Sequence, residues 1–257
     1  MCWKERLKSV LYDAVNFSLK GNDKAIIAFS GGVDSTLLAK ICQDLKKKLC
    51  LVTIGFHDSH DMQFSKKISG LLPFPHDHLS FEVTEPQFRE HFRYVRSTMT
   101  CNNISHIENC IAFLHLSKAL KGRNLGFSFA TANGLDELFC GYDKYRLYFD
   151  GGDESVSRFM DEKLKNEFHL MNEIRAVTSA NDVIPVQPFL TQDFIDFAKQ
   201  IPLKYKIHGH NDLLRKHIIR EVALEVGVPI ESAMYPKKAL QYGSLIHKYL
   251  KKHNKIA

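Results

Sequence analysis

KAIIAFSGGVDST, residues 24–36, decides the fold. It passes from an apolar β-branched stretch, Ala25 to Phe29, through the small residues Ser30, Gly31, Gly32, Val33, Asp34 and Ser35, into a helical pattern from Thr36 to Leu45. That order is strand, anion loop, helix. A loop so placed turns several backbone N–H groups toward one anion, and the helix adds the positive end of its dipole. Gly31 and Gly32 let the backbone bend and let an anion approach with no Cβ in the way. Ser30 and Ser35 add hydroxyl donors. Asp34 is an acid where an anion site should repel one, and a bridging divalent cation resolves that conflict. A tight Gly-Gly turn without a ligand accounts for the glycines but not for the two serines or Asp34.

Working outward, Leu49 to Phe56 reads as a second buried strand, so strand, helix and strand form a right-handed βαβ unit with a parallel sheet. Upstream, Trp3, Leu7, Val10, Leu11, Ala14, Val15 and Leu19 keep a helical period that ends at Gly21. Downstream, a third strand is expected near His78 to Val83 and helices over 85–94 and 105–121. Phe127 to Ala130 then leads into a second small-residue turn, Thr131-Ala132-Asn133-Gly134. Past Gly151-Gly152 the strand signals fade, and helices are expected over 153–176, 191–200, 211–226 and 240–252. The expected class is α/β, a doubly wound parallel sheet with a helical C-terminal region. Its parts would be a leading helix over 1–20, a nucleotide-binding α/β domain over 21–150 and a helical region over 151–257. Ligands in such sheets bind at the carboxyl ends of the strands, where both turns would lie.

Composition narrows the classes. The chain has 257 residues, a net charge of +6 and a pI near 8.9, with basic residues gathered late in LLRKHIIR (213–220), YPKK (235–238) and HKYLKKHNKIA (247–257). This suits nucleotide or RNA binding without establishing either. The last run reads as a solvated helix end or a frayed tail. No apolar run is long enough to span a membrane, and MCWKERLK lacks a secretory signal, so a soluble, cytoplasmic protein is expected. Six cysteines without a CxxC pair fit a reducing compartment. Cys101 and Cys110 could form a redox or sulfur-carrying pair, against which ordinary packing is the simpler reading. His57-Asp58-Ser59-His60-Asp61 and His76-Asp77-His78 invite a metal, but lack the helical spacing of a zinc site and read as surface loops.

ATANGLDELFCGYDKY (130–145) is the second signature. It sets Asp136 and Glu137 directly after a glycine turn at a strand end, where Asp136 could share a cation with Asp34. Alone, the pair could as well charge the start of the helix that follows.

SGGVDS lacks the Gly-Lys-Ser/Thr ending of a Walker loop and resembles the signature of the PP-loop ATP pyrophosphatases. Gly134, Asp136, Glu137, Leu138, Phe139, Gly141 and Tyr142 are similar to the GADELFGGY element in the synthetase domain of the asparagine synthetase family. Asn172 to Ala176, Val186 to Leu190, Arg215 to Glu221 and Tyr235 to Lys238 resemble further elements of that family in the same order.

The resemblance implies an enzyme that adenylates a carboxylate or carbonyl with MgATP, releases pyrophosphate, and lets an amine displace AMP to form an amide. It implies that Ser30, Gly31, Gly32, Val33, Asp34 and Ser35 bind pyrophosphate and that Asp34 and Asp136 hold Mg²⁺. Thr53, Ile54, Gly55 and Phe56 would flank adenine, with Asn133 and Gly134 beside the nucleotide. Lys237 matches the family lysine near the reacting groups, and Lys216 is a second candidate for phosphate contact.

The pattern departs from asparagine synthetases on the acceptor side. The acid expected before Gly134, a candidate proton acceptor, is Asn133, and an amide cannot serve as a base. Thr191 and Tyr235 replace an aspartate and an arginine. About twenty residues precede the first strand, too few for a glutaminase domain, so Cys2 reads as incidental. Nitrogen would come from ammonia, a separate glutaminase or an amine-bearing substrate. Two alternatives stay open: a PP-loop enzyme modifying tRNA by adenylating a base, and a nucleotide-binding protein without turnover.

Overall fold

A computed structural model describes residues 2–254. The elements, in chain order, are α1 (Trp3–Ser18), β1 (Lys24–Ala28), α2 (Val33–Asp44), β2 (Lys48–Gly55), α3 (His60–Ser69), β3 (Asp77–Glu82), α4 (Glu85–Thr98), α5 (Ile104–Gly122), β4 (Ser128–Ala130) and α6 (Leu135–Leu138). Then follow α7 (Tyr145–Tyr148), α8 (Gly152–Ser179), β5 (Ile184–Val186), α9 (Gln192–Gln200), α10 (His217–Glu225), α11 (Ile230–Ala233), α12 (Leu240–Gly243) and α13 (Ile246–Asn254).

The strands form one sheet in the order β3-β2-β1-β4-β5, every pair parallel. Alternation along β1 splits the core. Ala25 and Ile27 pack with α1, α2, α9 and α10 on one face, while Ile26 packs with α4, α5 and α13 on the other. The long helix α8 serves both faces, through Val156 to Leu164 on the first and Leu170 to Val177 on the second. The doubly wound parallel class read from the sequence is the one observed, and the order reverses between β1 and β4. That reversal point is where open α/β sheets leave a crevice for ligands.

Local expectations needed correction in four places. The strand β5 was missed because Pro185 reads as a breaker. It sits at the sheet edge, pairing only with Phe129 of β4, where its missing N–H costs no ladder bond. The helix expected over 211–226 begins only at His217, because Arg215 and Lys216 take left-handed φ of 51° and 54°. Asp212 pins that turn by accepting the N–H groups of Leu214 and Arg215. The helix expected over 240–252 breaks into α12 and α13 at Leu245, φ 68°. Finally, the C-terminal run is a helix end solvated on one face only, with Lys248, Lys251 and Lys252 exposed. Ile246 and Leu250 are buried, and Tyr249 stacks on Phe56 at 3.6 Å; the tail expected over 255–257 lies outside the described residues.

Candidate active site

α2 starts at Val33, three residues earlier than its apolar pattern suggests, so Asp34 and Ser35 stand in its first turn with Gly32 as N-cap. Gly31 holds φ +78°, and a Cβ there would come within 3.1 Å of the Ser65 Cα of α3. The loop is thereby pressed onto α3 with its N–H groups at the helix start. Its polar atoms are held from outside: the Ser232 hydroxyl of α11 donates to the Gly31 carbonyl at 2.7 Å, and its oxygen lies 2.9 Å from Thr36 Oγ1.

The β4 turn faces this loop. Gly134 takes φ +104°, and a Cβ would meet the Phe189 carbonyl oxygen at 2.5 Å. Only glycine lets the chain turn there and start α6, whose first turn carries Asp136 and Glu137.

Lys216 joins the two turns. Its side chain, 1% exposed, donates from Nζ to Asp34 Oδ2 at 2.6 Å and to Asp136 Oδ1 at 2.9 Å. Lys237, a quarter exposed, pairs with the other Asp136 oxygen. Burial alone would raise the Asp136 carboxyl, but the charges of Lys216 and Lys237 outweigh it and hold it well below the usual carboxylate range. Burial likewise opposes the charge on Lys237, and Asp136 and Asp34 overcome it, raising that ammonium above its ordinary value.

Arg220, read from the sequence only as part of a motif, fixes both lysines without touching the cleft centre. Its guanidinium donates to the carbonyls of Leu214 at 2.7 Å, Arg215 at 2.8 Å, Ala233 at 2.5 Å and Tyr235 at 3.0 Å. One buried arginine thus ties the Lys216 turn to the Lys237 segment.

A cleft of about 220 Å³ opens beside this charged centre. Ser30, Asp34, Ser35, Thr53, Ile54, Asn133, Asp136 and Lys237 line it, while Gly32, Val33 and Lys216 line a narrower crevice that meets it. Gly55 and Phe56 do not reach it, contrary to the expectation that they flank a nucleotide. Gly55 packs under Ser59 and Met62, and Phe56 stacks on Tyr249. Gly31 and Gly134 shape the turns and do not line the cleft.

Three acids lining the cleft escaped the sequence reading as site residues. Asp61 was placed in a surface loop, yet it opens α3 at 4% exposure, and burial pushes its carboxyl up to about 7 against the opposing charges of Lys238 and Lys237. His78, read the same way, lies in β3 with its ring 2.9 Å from Thr53 Oγ1. Glu137 was read as a helix-start charge; it accepts from Gly134 N–H at 3.1 Å and from the Tyr142 hydroxyl. Glu167, from α8, accepts from Asn133 Nδ2 at 2.7 Å. Burial raises the Glu137 carboxyl, with Asp136 adding to it; burial and then the charge of Glu137 raise Glu167 well above its ordinary value. No local signal marks Glu167, whose tie to Asn133 spans 34 positions.

The remaining candidates are not drawn in. Cys110 is fully buried in α5, where burial raises its thiol, and the six cysteines are free.

A parallel sheet carrying a glycine-serine anion loop at its reversal point, with paired acids and lysines across it, defines a nucleotide-binding α/β protein of the PP-loop kind. The Asparagine synthase family model matches residues 6–186, and the chain belongs to that family. No glutaminase domain is found within the 257 residues.

Among curated proteins, it is 28% identical to one from Methanocaldococcus jannaschii named "Putative asparagine synthetase (glutamine-hydrolyzing) 1", over 97% of this chain and 52% of that protein. It is 29% identical to the mouse "Asparagine synthetase domain-containing protein 1" over 49% of this chain and 21% of that protein. The chain thus spans about half the length of the first of these relatives and less of the second. Among solved structures, an NH3-dependent NAD synthetase from Campylobacter jejuni aligns with 70% of this chain and 95% of its own, at 14% identity and a TM-score of 0.39.

Proposed function

We propose that this protein uses MgATP to adenylate a carboxylate or carbonyl on a small-molecule acceptor, releases pyrophosphate, and lets an amine or ammonia displace AMP to form an amide. Beyond family membership, one observation carries the reading: Lys216, out of solvent, bridges Asp34 and Asp136 directly beside the anion loop. Charge developing on the α-phosphate and the departing pyrophosphate would meet preorganised cations and backbone donors, which cost no reorganisation at that moment.

The triphosphate end would lie on the N–H groups of Ser30 to Ser35, with adenine along Val52, Thr53 and Ile54 and against Phe113. The residues suit a hard divalent cation. Asp34 Oδ1 is a buried carboxylate oxygen with no hydrogen-bond partner, beside the loop. Both Asp136 oxygens are engaged by lysines, so Asp34 and Asp136 would hold the cation together, with Asp34 offering the unengaged oxygen. Bound there, Mg²⁺ would neutralise phosphate charge and orient the leaving pyrophosphate.

On the acceptor side, Glu167 supplies the carboxylate that position 133 lacks. The Asn133 amide donates to one of its oxygens, and burial, which raises this carboxyl, makes it a stronger proton acceptor. As the new C–N bond forms and the bond to AMP breaks, the amine proton passes to Glu167. A tRNA acceptor is disfavoured by the fate of the basic segment. Arg215, Lys216 and Arg220 are all at or below 5% exposure and bind carbonyls and carboxylates, so they offer no surface to RNA phosphates.

The test is pyrophosphate release from MgATP against pooled amino acids, other small carboxylates and bulk tRNA in separate wells. One small-molecule pool should stimulate release, and Asp34→Asn should abolish it. Stimulation by tRNA alone, or full activity in Asp34→Asn, would overturn the reading.

A further inference from the structure

Away from the phosphate loop, three side chains with metal-ligand chemistry converge from separate elements. The Asn103 side chain caps α5 by accepting the N–H groups of Ser105 and His106, and so turns the segment after α4 back onto that helix. Cys101 Sγ then lies 3.8 Å from His106 Nδ1, and Glu173 of α8 places Oε2 2.6 Å from the same nitrogen. All three ligand atoms lie within 4.8 Å of one another, and His106 is 4% exposed.

His106 is bonded at both ring nitrogens: Nδ1 is 2.6 Å from Glu173 Oε2 and Nε2 is 3.1 Å from Asn166 Oδ1. The short Nδ1 contact holds a proton between the imidazole and the carboxylate. A metal entering there would displace that proton and leave Nδ1, the Glu173 carboxylate and the Cys101 thiolate as three electron-pair donors with a shared focus. The Asn166 carbonyl on Nε2 orients the ring as outer hydrogen-bond partners orient ligating histidines.

We propose that Cys101, His106 and Glu173 form a binding site for a divalent transition metal of the zinc class, which ties the segment after α4 to α5 and α8. A mixed S, N and O set selects such an ion over Mg²⁺ or Ca²⁺. Tetrahedral zinc bonds of about 2.0–2.3 Å put sulfur and nitrogen roughly 3.6 Å apart and nitrogen and oxygen roughly 3.4 Å apart. The Cys101–His106 spacing is already close to this, and Glu173 swings outward by roughly 0.8 Å to complete it. The other histidine cluster, His208, Asp212 and His217, differs because Asp212 is fully engaged, accepting from the N–H groups of His208, Leu214 and Arg215 and bonding the His217 ring.

His106 and Asn166 also line the cleft assigned to adenylation, so the test reads the metal directly and does not depend on activity. Untagged, chelator-stripped full-length protein titrated with Co²⁺ should bind one ion, with a thiolate-to-cobalt charge-transfer band and the visible bands of a tetrahedral centre, and Zn²⁺ should displace it. Cys101→Ser should remove the charge-transfer band. Asn166→Ala, which leaves all three ligands in place, should weaken Co²⁺ affinity by about 10–100-fold. Folding of each variant is checked by circular dichroism. No Co²⁺ uptake, a charge-transfer band that survives Cys101→Ser, or Asn166→Ala affinity equal to wild type would overturn the proposal.

Discussion

The two walls of the cleft manage buried acids in opposite ways. On the wall formed by the glycine-serine loop, Lys216 bridges Asp34 and Asp136, and Lys237 pairs with Asp136, whose carboxyl these charges hold well below the usual range. On the opposite wall, Glu137 and Glu167 have only neutral donors, Tyr142, Gly134 N–H and Asn133, and burial pushes both carboxyls up, helped by the charge of Asp136 on Glu137 and of Glu137 on Glu167. Environments that drive neighbouring carboxyls apart suit them to different work, and the proposed division is fixed charge on one wall and a proton acceptor on the other.

Breaking the charged wall should have the largest effect. Asp136→Asn leaves Lys216 and Lys237 without their shared partner; pyrophosphate release should fall to background, and unfolding by denaturant should show a loss of about 3–5 kcal/mol. Retained activity would mean that this wall is structural only.

The acceptor wall is probed by Glu167→Gln, which keeps the contact to Asn133 but cannot take a proton. Amide formation should drop by about 10²–10⁴-fold while acceptor-stimulated pyrophosphate release persists, measured by separating the two half-reactions. Wild-type amide formation should rise with pH through the raised Glu167 carboxyl, and the variant should lose that limb. An equal fall in both half-reactions would erase the distinction between the walls.

The third test concerns the boundary, at Asp61. Its carboxyl titrates near 7 in the fold against 3.8 unfolded. The folded state therefore binds the extra proton between those values, and the advantage present below pH 4 is lost as pH rises through 7. Wild-type protein should lose up to about 4 kcal/mol relative to Asp61→Asn between about pH 4 and pH 7, read from denaturant midpoints. Parallel pH profiles for the two proteins would place Asp61 with the fully paired wall instead.

Lys237→Ala, the smallest change, should lower turnover more than ATP binding. Lys216 still bridges the two aspartates in its absence, so ATP affinity should stay within a few-fold while kcat falls.

Much of this was legible along the chain, because the signals are local. A strand ending in SGGVDS and another ending in a glycine turn with Asp136 each declare a loop at a sheet edge, and the helical periods placed α1, α5 and α8 within a few residues. Legibility failed where a local rule met a tertiary exception. Pro185 is tolerated because β5 is an edge, and Arg215 and Lys216 leave the helical region because Asp212 and Arg220 bind the turn around them. The histidine-rich segments looked solvated, since nothing in HDSHD reveals that α3 turns Asp61 inward.

By itself the sequence determined the parallel sheet, the anion loop and the two metal-binding candidates at its edge. These follow from period, glycine placement and charge within a dozen residues of one another. Only the tertiary structure decided that Lys216 sits between acids 182 and 80 positions away, that Glu167 answers Asn133, and that Glu173 meets His106 across 67 positions. Pairings at such separations are set by how the helices pack on the sheet, and burial, which sets the charge of each acid, exists only after that packing is complete.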